Sequence, residues 1–183
     1  MGQPNIPVDV KLFIAVTFND KKIYEQINSI LTQAFGFIDT FSEVYDFVYT
    51  QYYSREMGVD LKKQFWGFQK LIRPEELVDI KLKTNDIETQ FSRDGKRQVN
   101  LDPGYLTGAK VILATTKNFD HRIYLGKGIF GDVHLRYREE RFIFNDWTYP
   151  DYRDPIAIAF FSQLRSFYMK EYREIIKQPH EGV

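Results

Sequence analysis

The residues best able to do chemistry lie between Gly95 and Arg138, read GKRQVNLDPGYLTGAKVILATTKNFDHRIYLGKGIFGDVHLRYR. The sharpest signal is Asn100-Leu101-Asp102-Pro103-Gly104-Tyr105. Pro followed by Gly pre-sets a type II turn, and Asp102 can bond the amides of such a turn. A turn that holds a carboxylate and a tyrosine rigidly also positions a base or a metal ligand. His121 follows the next strand, so Asp102 and His121 form a candidate acid/base pair. A metal centre would need a second histidine at ligand spacing. Further on, Ile129 to Arg138 alternates with period two. Ile129, Gly131, Val133, Leu135 and Tyr137 are expected on the core side. Asp132, His134, Arg136 and Arg138 are expected on one open face. The preceding strand adds Arg122 and Tyr124 to that face. Arginine forks match phosphate or carboxylate oxygens in two-point contacts. A solvated edge hairpin shows the same alternation.

Three further patterns bear on chemistry. Lys81, Asn85 and Glu88 fall at i, i+4, i+7 and make one polar stripe on a helix, either solvated or facing a ligand. Gly126-Lys127-Gly128-Ile129-Phe130-Gly131 matches G-x-G-x-x-G, but a strand follows where the dinucleotide fingerprint needs a helix. The kinase reading lacks its H-R-D and D-F-G partners, so a hairpin turn is the simpler account. No G-x-x-x-x-G-K-[ST] loop is present. Two aromatic-acid clusters, Tyr49 to Tyr53 with Glu56 and Trp147 to Tyr152, could stack bases or seal the core under a loop.

The elements that must position these residues follow from periodicity. Val10 to Phe18 reads as a central strand, and Asn19-Asp20 caps a helix through Ile23, Ile27, Ile30, Leu31 and Ala34 that stops at Gly36. Glu43 to Thr50 and Gln64 to Ile72 read as strands, with Gly67 a bulge candidate. Pro74 opens a second helix through Leu77, Ile80, Thr84, Ile87 and Phe91, ended by Gly95. Val111 to Thr115 is a short apolar strand. A hairpin of His121 to Leu125 and Ile129 to Arg138 follows, then a strand from Arg141 to Asn145. Asp154-Pro155 starts a long helix ending near Gln178-Pro179. The pattern predicts an α+β fold: a ferredoxin-like β-α-β-β-α-β core sheet, extended by an antiparallel hairpin and a further strand, with a long C-terminal helix. One domain over residues 1–183 is expected, with 1–8 and 179–183 as frayed tails.

Composition narrows the function classes. Of 183 residues, 43% are hydrophobic and 27% charged, which is globular. There is no cysteine, which removes disulfides, thiolate metal sites and a cysteine nucleophile. No signal-peptide pattern and no long apolar run appear, and Ile6 breaks the myristoylation pattern, so a cytoplasmic protein without a membrane partner is expected. The chain carries 25 basic and 25 acidic residues. Arg93 to Arg141 holds ten Lys/Arg against six Asp/Glu. That excess suits a phosphorylated small molecule, a nucleotide or a short RNA end better than a long DNA duplex.

The strings Tyr52-Tyr53 with Glu56-Met57-Gly58, Ile80 to Asn85, Val99 to Leu106, His121 to Gly126 and Trp147 to Tyr152 resemble the family called domain of unknown function 4416. The resemblance runs from Lys11-Leu12-Phe13 to the last helix. It implies no established activity. Members are sometimes labelled GTP-binding proteins, whereas this chain has neither a Walker lysine loop nor N-K-x-D.

Three functions are thus in play. The first is binding or processing of a phosphorylated ligand, with Asp102, His121 and His134 as catalytic candidates. Lys81, Asn85, Asn100, Tyr105, Arg122, Tyr124, Arg136 and Arg138 would be its ligand contacts. The second is a non-catalytic interaction module using the aromatic loops around Tyr52 and Trp147. The third is a metal-dependent hydrolase centred on Asp102. The sequence leaves the cofactor unknown and does not set the oligomeric state.

Overall fold

The computed structural model describes residues 2–50 and 53–177. Its spine is β1, Val10–Phe18, all nine residues of which are buried. Leu12, Ile14, Val16 and Phe18 enter one core layer, while Phe13 and Ala15 enter the other. Alternation thus produces apolar residues on both faces of a strand covered from both sides. Lys11 interrupts the run yet is fully buried; its ammonium meets Asp39 at 3.0 Å, Glu171 at 2.8 Å and the Gln69 oxygen at 3.1 Å.

Helix α1, Lys21–Phe35, starts where the Asp20 carboxylate accepts the Lys22 N–H at 2.7 Å. It packs Ile23, Ile27 and Leu31 on the Leu12–Ile14–Val16 face. A strand not anticipated from the sequence, β2, Ile38–Phe41, forms first, and of the strand expected over Glu43–Thr50 only β3, Tyr45–Asp46, is present. Phe47 leaves the sheet to pack with Met57 and Leu61, beside α2, Ser54–Met57. The strand predicted from Gln64 begins earlier, as β4, Lys62–Ile72. A 3-10 turn at Pro74–Glu76 leads into α3, Leu77–Gln90. This helix stops short of Gly95, which lies instead in a turn where Arg93 and Lys96 exchange backbone hydrogen bonds of 2.9 Å.

The largest departure from expectation is β5, Val99–Leu106. The predicted Asp-Pro-Gly turn is extended and pairs antiparallel with β1 along its whole length, Phe18 opposite Val99 to Lys11 opposite Leu106. Local turn propensity lost to the hydrogen-bonding edge of β1. Then come β6, Lys110–Thr115, β7, Arg122–Gly126, β8, Ile129–Arg138, and β9, Arg141–Phe144. Gly126 and Gly128, at φ 125° and 78°, make the β7–β8 turn. The sheet order is β2-β4-β1-β5-β6-β8-β7, with β3 beside β4 and β9 beside β8. Helix α4, Pro155–Lys177, begins where Asp154 accepts the Ile156 N–H at 2.7 Å. It lays Phe160, Phe161, Leu164 and Tyr168 on the Phe13–Ala15 face. The result is α+β, a large antiparallel sheet with a long helix at the C-terminal end. Among the described residues no helix is long and apolar enough to cross a membrane.

A register shift in β8 overturns the expected open face. Val111 pairs with Leu135 but Ile112 pairs with Val133, so β8 carries an extra residue at His134. One extra residue reverses the facing of everything beyond it. Asp132 and His134, which that step does not turn, are instead covered by the Trp147–Tyr152 segment, at 1% and 0% exposure. Arg136 and Arg138 lie on the opposite side of the strand from Leu135 and Tyr137, which pack towards α4.

Candidate functional site

Pro103 decides where the sheet opens. It has no N–H to give a ladder, and the pairing of β5 with β6 begins only at the next residue, Gly104 opposite Leu113. Residues 100–103 thus pair with β1 alone, while Thr115–Lys117 run off the end of β6. The parting leaves a cavity of about 280 Å³ lined by Lys81, Asn85, Asp102, Thr115, Thr116 and Lys117, among others. A second cavity of about 350 Å³ is lined by Phe47, Tyr49, Lys63, Pro150 and Asp151. Both share Tyr53, Asp102, Lys117 and Tyr149. They are two lobes of one cleft, one rich in polar donors and one rich in rings, meeting over Asp102.

Asp102 is held by a chain of charges rather than by turn amides. Lys81, buried on α3, donates to the Leu101 oxygen at 3.0 Å and lies 3.4 Å from one Asp102 oxygen. Asn100 donates to the other at 2.7 Å. Arg97 donates to the Asn100 side chain at 2.9 Å, forks onto Glu56 with two bonds of 2.8 Å, and reaches Glu88 at 3.1 Å. Glu88 in turn accepts the Leu101 N–H at 2.6 Å. This network satisfies backbone that the missing β6 partner leaves open. It also explains the polar stripe of α3: Lys81 and Glu88 are buried structural charges, whereas the Asn85 amide makes no hydrogen bond within the described residues.

The electrostatics follow from these contacts. Burial opposes the charge on Asp102, but Lys81, Lys63 and the Asn100 bond outweigh it and hold the carboxyl below its usual range. Glu88 is the reverse case, with burial pushing its carboxyl up against the pull of Lys81 and the Leu101 N–H. Bonds from Arg97 hold Glu56 down. In the ring-rich lobe, Lys63 and Asp151 form a buried pair at 2.5 Å, with the ammonium 5.0 Å from the Phe47 ring centre and 5.3 Å from that of Tyr152. Burial and the neighbouring acids Asp102 and Asp151 raise the Tyr152 hydroxyl well above its ordinary value. Tyr49 donates to Asp154, and that bond pushes its hydroxyl up to about 12.

His121 and His134 gather round Asp132, away from Asp102. His134 accepts the Tyr149 N–H on Nε2 at 3.3 Å, so Nδ1 carries the proton given to Asp132 at 3.2 Å. Arg122 donates to the same carboxylate at 3.0 Å and to the Tyr149 hydroxyl at 2.9 Å. His121 lies flat between Phe119 and Trp147, with Nδ1 3.0 Å from Asp120 and a buried Nε2 3.3 Å from Asp132 that makes no hydrogen bond. Burial works against Asp132, yet the bonds from His134 and Arg122 keep its carboxyl low. The cluster fixes Tyr149 as the cleft wall. Asp132 and Glu56 share the acid-side linkage of Asp102: pKa values lower in the folded chain confer stability above the unfolded value, about 4, which is lost as pH falls through the folded value. Asp132→Asn is therefore expected to lower stability at pH 7 and to flatten the loss below pH ~4, read from urea midpoints across pH. An unchanged acid limb would count against this account.

Of the predicted site residues, the cleft brings together Lys81, Asn85, Asn100 and Asp102. Arg122, His121 and His134 stand behind its wall, and the expected Asp102–His121 pair does not form. Tyr105 packs into the core on the α3 side. Tyr124 is exposed on the sheet edge at 60%. Arg136 and Arg138 line neither cavity; they lie opposite Lys110 and Arg141 respectively in the sheet. Tyr52 lies outside the described residues; Trp147 is 39% exposed, stacked on His121 and donating to the Val133 oxygen. Among the described residues no three His, Cys, Asp or Glu side chains converge as metal ligands. Sequence reasoning missed Lys63, Lys117 and the Thr115-Thr116 pair. Lys63 had a signal, a lysine next to an apolar strand run, which marks either an edge or a buried pair.

A family model with the description "Domain of unknown function (DUF4416)" matches residues 8–168. No curated protein and no solved structure matches the chain.

Proposed function

The chain belongs to the family described as domain of unknown function (DUF4416), and because that description assigns no activity, we propose from the cleft itself that the protein binds a phosphorylated small molecule of nucleotide size. The observation that carries this reading is the meeting of the two lobes over Asp102. Cavities of about 280 and 350 Å³ together reach the volume of an ordinary small-ligand site. In the polar lobe, Lys81 has an ammonium proton beyond its two bonds, and the Asn85 amide and the Thr115 and Thr116 hydroxyls line the same wall. These suit phosphate oxygens. In the other lobe, Phe47, Tyr49, Tyr53 and Tyr149 offer ring faces and edges for a planar group. Arg97 commits four of its five N–H donors to Glu56, Glu88 and Asn100, so it chiefly shapes the lobe and Lys81 is the principal cation for the ligand. Asp102, ionised at neutral pH, is the acceptor placed for a ligand hydroxyl.

In the same reading, β2-β4-β1-β5 with α1 and α3 on one face corresponds to a ferredoxin-like core, which β6, β8, β7 and β9 extend. The ligand then sits where the extension diverges from that core.

Calorimetric titration with nucleoside mono-, di- and triphosphates and the parent nucleosides tests the proposal. Binding is expected to require a phosphate. Lys81→Met keeps the buried stem and removes the charge, and should weaken binding about tenfold or more, the worth of one charge-assisted bond. Asn85→Ala, at a half-buried helix position, should weaken it without loss of fold. Absence of binding by every compound, or equal affinities in both variants, would overturn the reading.

A further inference from the structure

Strand β7 is the last in the sheet, and its outer main-chain edge has no strand partner among the described residues. Natural edges are usually blunted by lysine, proline or inward charges. Here the middle three residues are Ile123, Tyr124 and Leu125, exposed by 68%, 60% and 42%. Ile123 pairs with Gly131, and the Leu125 side chain lies over that same Gly131, so both occupy one face of the sheet. Tyr124 occupies the other, edge-on to Phe130 at 5.3 Å. The fold leaves an apolar edge exposed on both faces, with a bulge at Leu125, where β7 takes two steps from Tyr124 to Gly126 against one step of β8 from Phe130 to Ile129.

We propose that β7 pairs antiparallel with β7 of a second copy of this chain, about a two-fold axis through Tyr124. The register is self-complementary by residue type, and it requires the bulge at Leu125 to straighten when the second strand pairs. Ile123 falls opposite Leu125 of the second copy, Leu125 opposite its Ile123, and Tyr124 opposite its own counterpart. Every exposed apolar side chain of the strand thereby gains an apolar cross-strand neighbour. Charge points the same way. Asp120, 96% exposed, precedes the strand, and Lys127, 62% exposed, follows it. Antiparallel pairing brings Asp120 of one copy to the Lys127 end of the other, twice, whereas parallel pairing would set like against like. Lys127 already meets Asp79 at 2.6 Å, but an exposed pair of that kind holds its partners weakly and exchanges cheaply. The union is isologous and therefore closed, joining two sheets edge to edge without a path to longer polymers.

The experiment is sedimentation equilibrium of the full chain over a hundredfold concentration range, with the variants Tyr124→Lys and Tyr124→Glu. Tyr124 is exposed, so both are expected to keep the wild-type circular dichroism. Wild type should be dimeric. Each variant alone should be monomeric, because the axis sets its new charge against the same charge. An equimolar mixture should recover the dimer, since the introduced lysine of one chain then meets the introduced glutamate of the other. A monomeric wild type overturns the proposal, as does a dimer indifferent to both variants. Monomeric variants that fail to pair when mixed overturn the axis at Tyr124.

Discussion

Gly104→Ala is expected to lower the stability of the fold by about 3 kcal/mol, the upper range of overpacking in a closed core. An added Cβ would lie 2.3 Å from the Ile112 main-chain oxygen and 2.4 and 2.7 Å from two atoms of the Phe13 ring. Neither neighbour can yield easily. Ile112 sits in β6 paired to β8, and Phe13 is locked edge-on to Phe161 at 5.0 Å beneath α4. The strain would fall on the first pair of the β5–β6 ladder, the point from which the cleft opens. The measurement is a denaturant midpoint with an unchanged slope. Gly108→Ala is the control, because its Cβ would meet only the flexible end of Met169. A Gly104→Ala chain as stable as that control would sink the account.

Lys63→Ala is expected to cost about 3–5 kcal/mol, the usual penalty when one partner of a buried ion pair is removed. Asp151, 5% exposed in its side chain, would be left without its cation at the floor of the ring-rich lobe. The pair itself need not be strongly stabilising, since desolvation consumes much of its attraction. The double variant Lys63→Met with Asp151→Leu should accordingly recover most of the loss. Chemical denaturation of the four chains gives the coupling directly. Should the double variant be as unstable as the sum of the singles, the loss comes from ring packing around Lys63 and not from an orphaned carboxylate. Lys63 also helps hold Asp102 low, so its removal should raise that carboxyl towards its ordinary value, observable by carbon NMR titration.

Where the signal is local, sequence and structure agree closely. β1 spans Val10–Phe18 as its unbroken apolar run predicts, because a strand buried on both faces needs no alternation. Helix α1 begins at the Asp20 cap, and α4 begins behind Asp154 with a proline in its first turn. The departures all involve a distant partner. Val99–Leu106 contains the strongest turn dipeptide of the chain, yet the edge of β1 recruits it as a strand. The alternation of β8 holds as far as Val133; the extra residue at His134 then sends Arg136 and Arg138 to the other side.

The candidate site divides in the same way. Lys81, Asn85, Asn100 and Asp102 are visible in the sequence as polar residues in unusual settings, and the fold places all four round one cleft. His121, His134 and Arg122 are visible too, but they gather at Asp132, whose buried carboxylate takes up the donors of His134 and Arg122 while His121 Nε2 stands 3.3 Å away without a hydrogen bond. Lys63 and Asp151 lie 88 residues apart and meet only because β4 and the segment before α4 cover the same face.

By itself the sequence determined the apolar periods, the caps, the absence of cysteine and of a phosphate-binding loop, and the concentration of ionisable groups between Arg93 and Arg141. These are properties of neighbours along the chain, and they act within a turn or a strand. Only the tertiary structure decided that Pro103 would open a gap between neighbouring strands instead of bending one, and that Lys81 would cross the opening to reach Asp102. The physical reason is that a strand's hydrogen bonds are completed by a partner far away in sequence. A proline that reads locally as a turn becomes, once that partner is present, a break in the ladder and the mouth of a cleft.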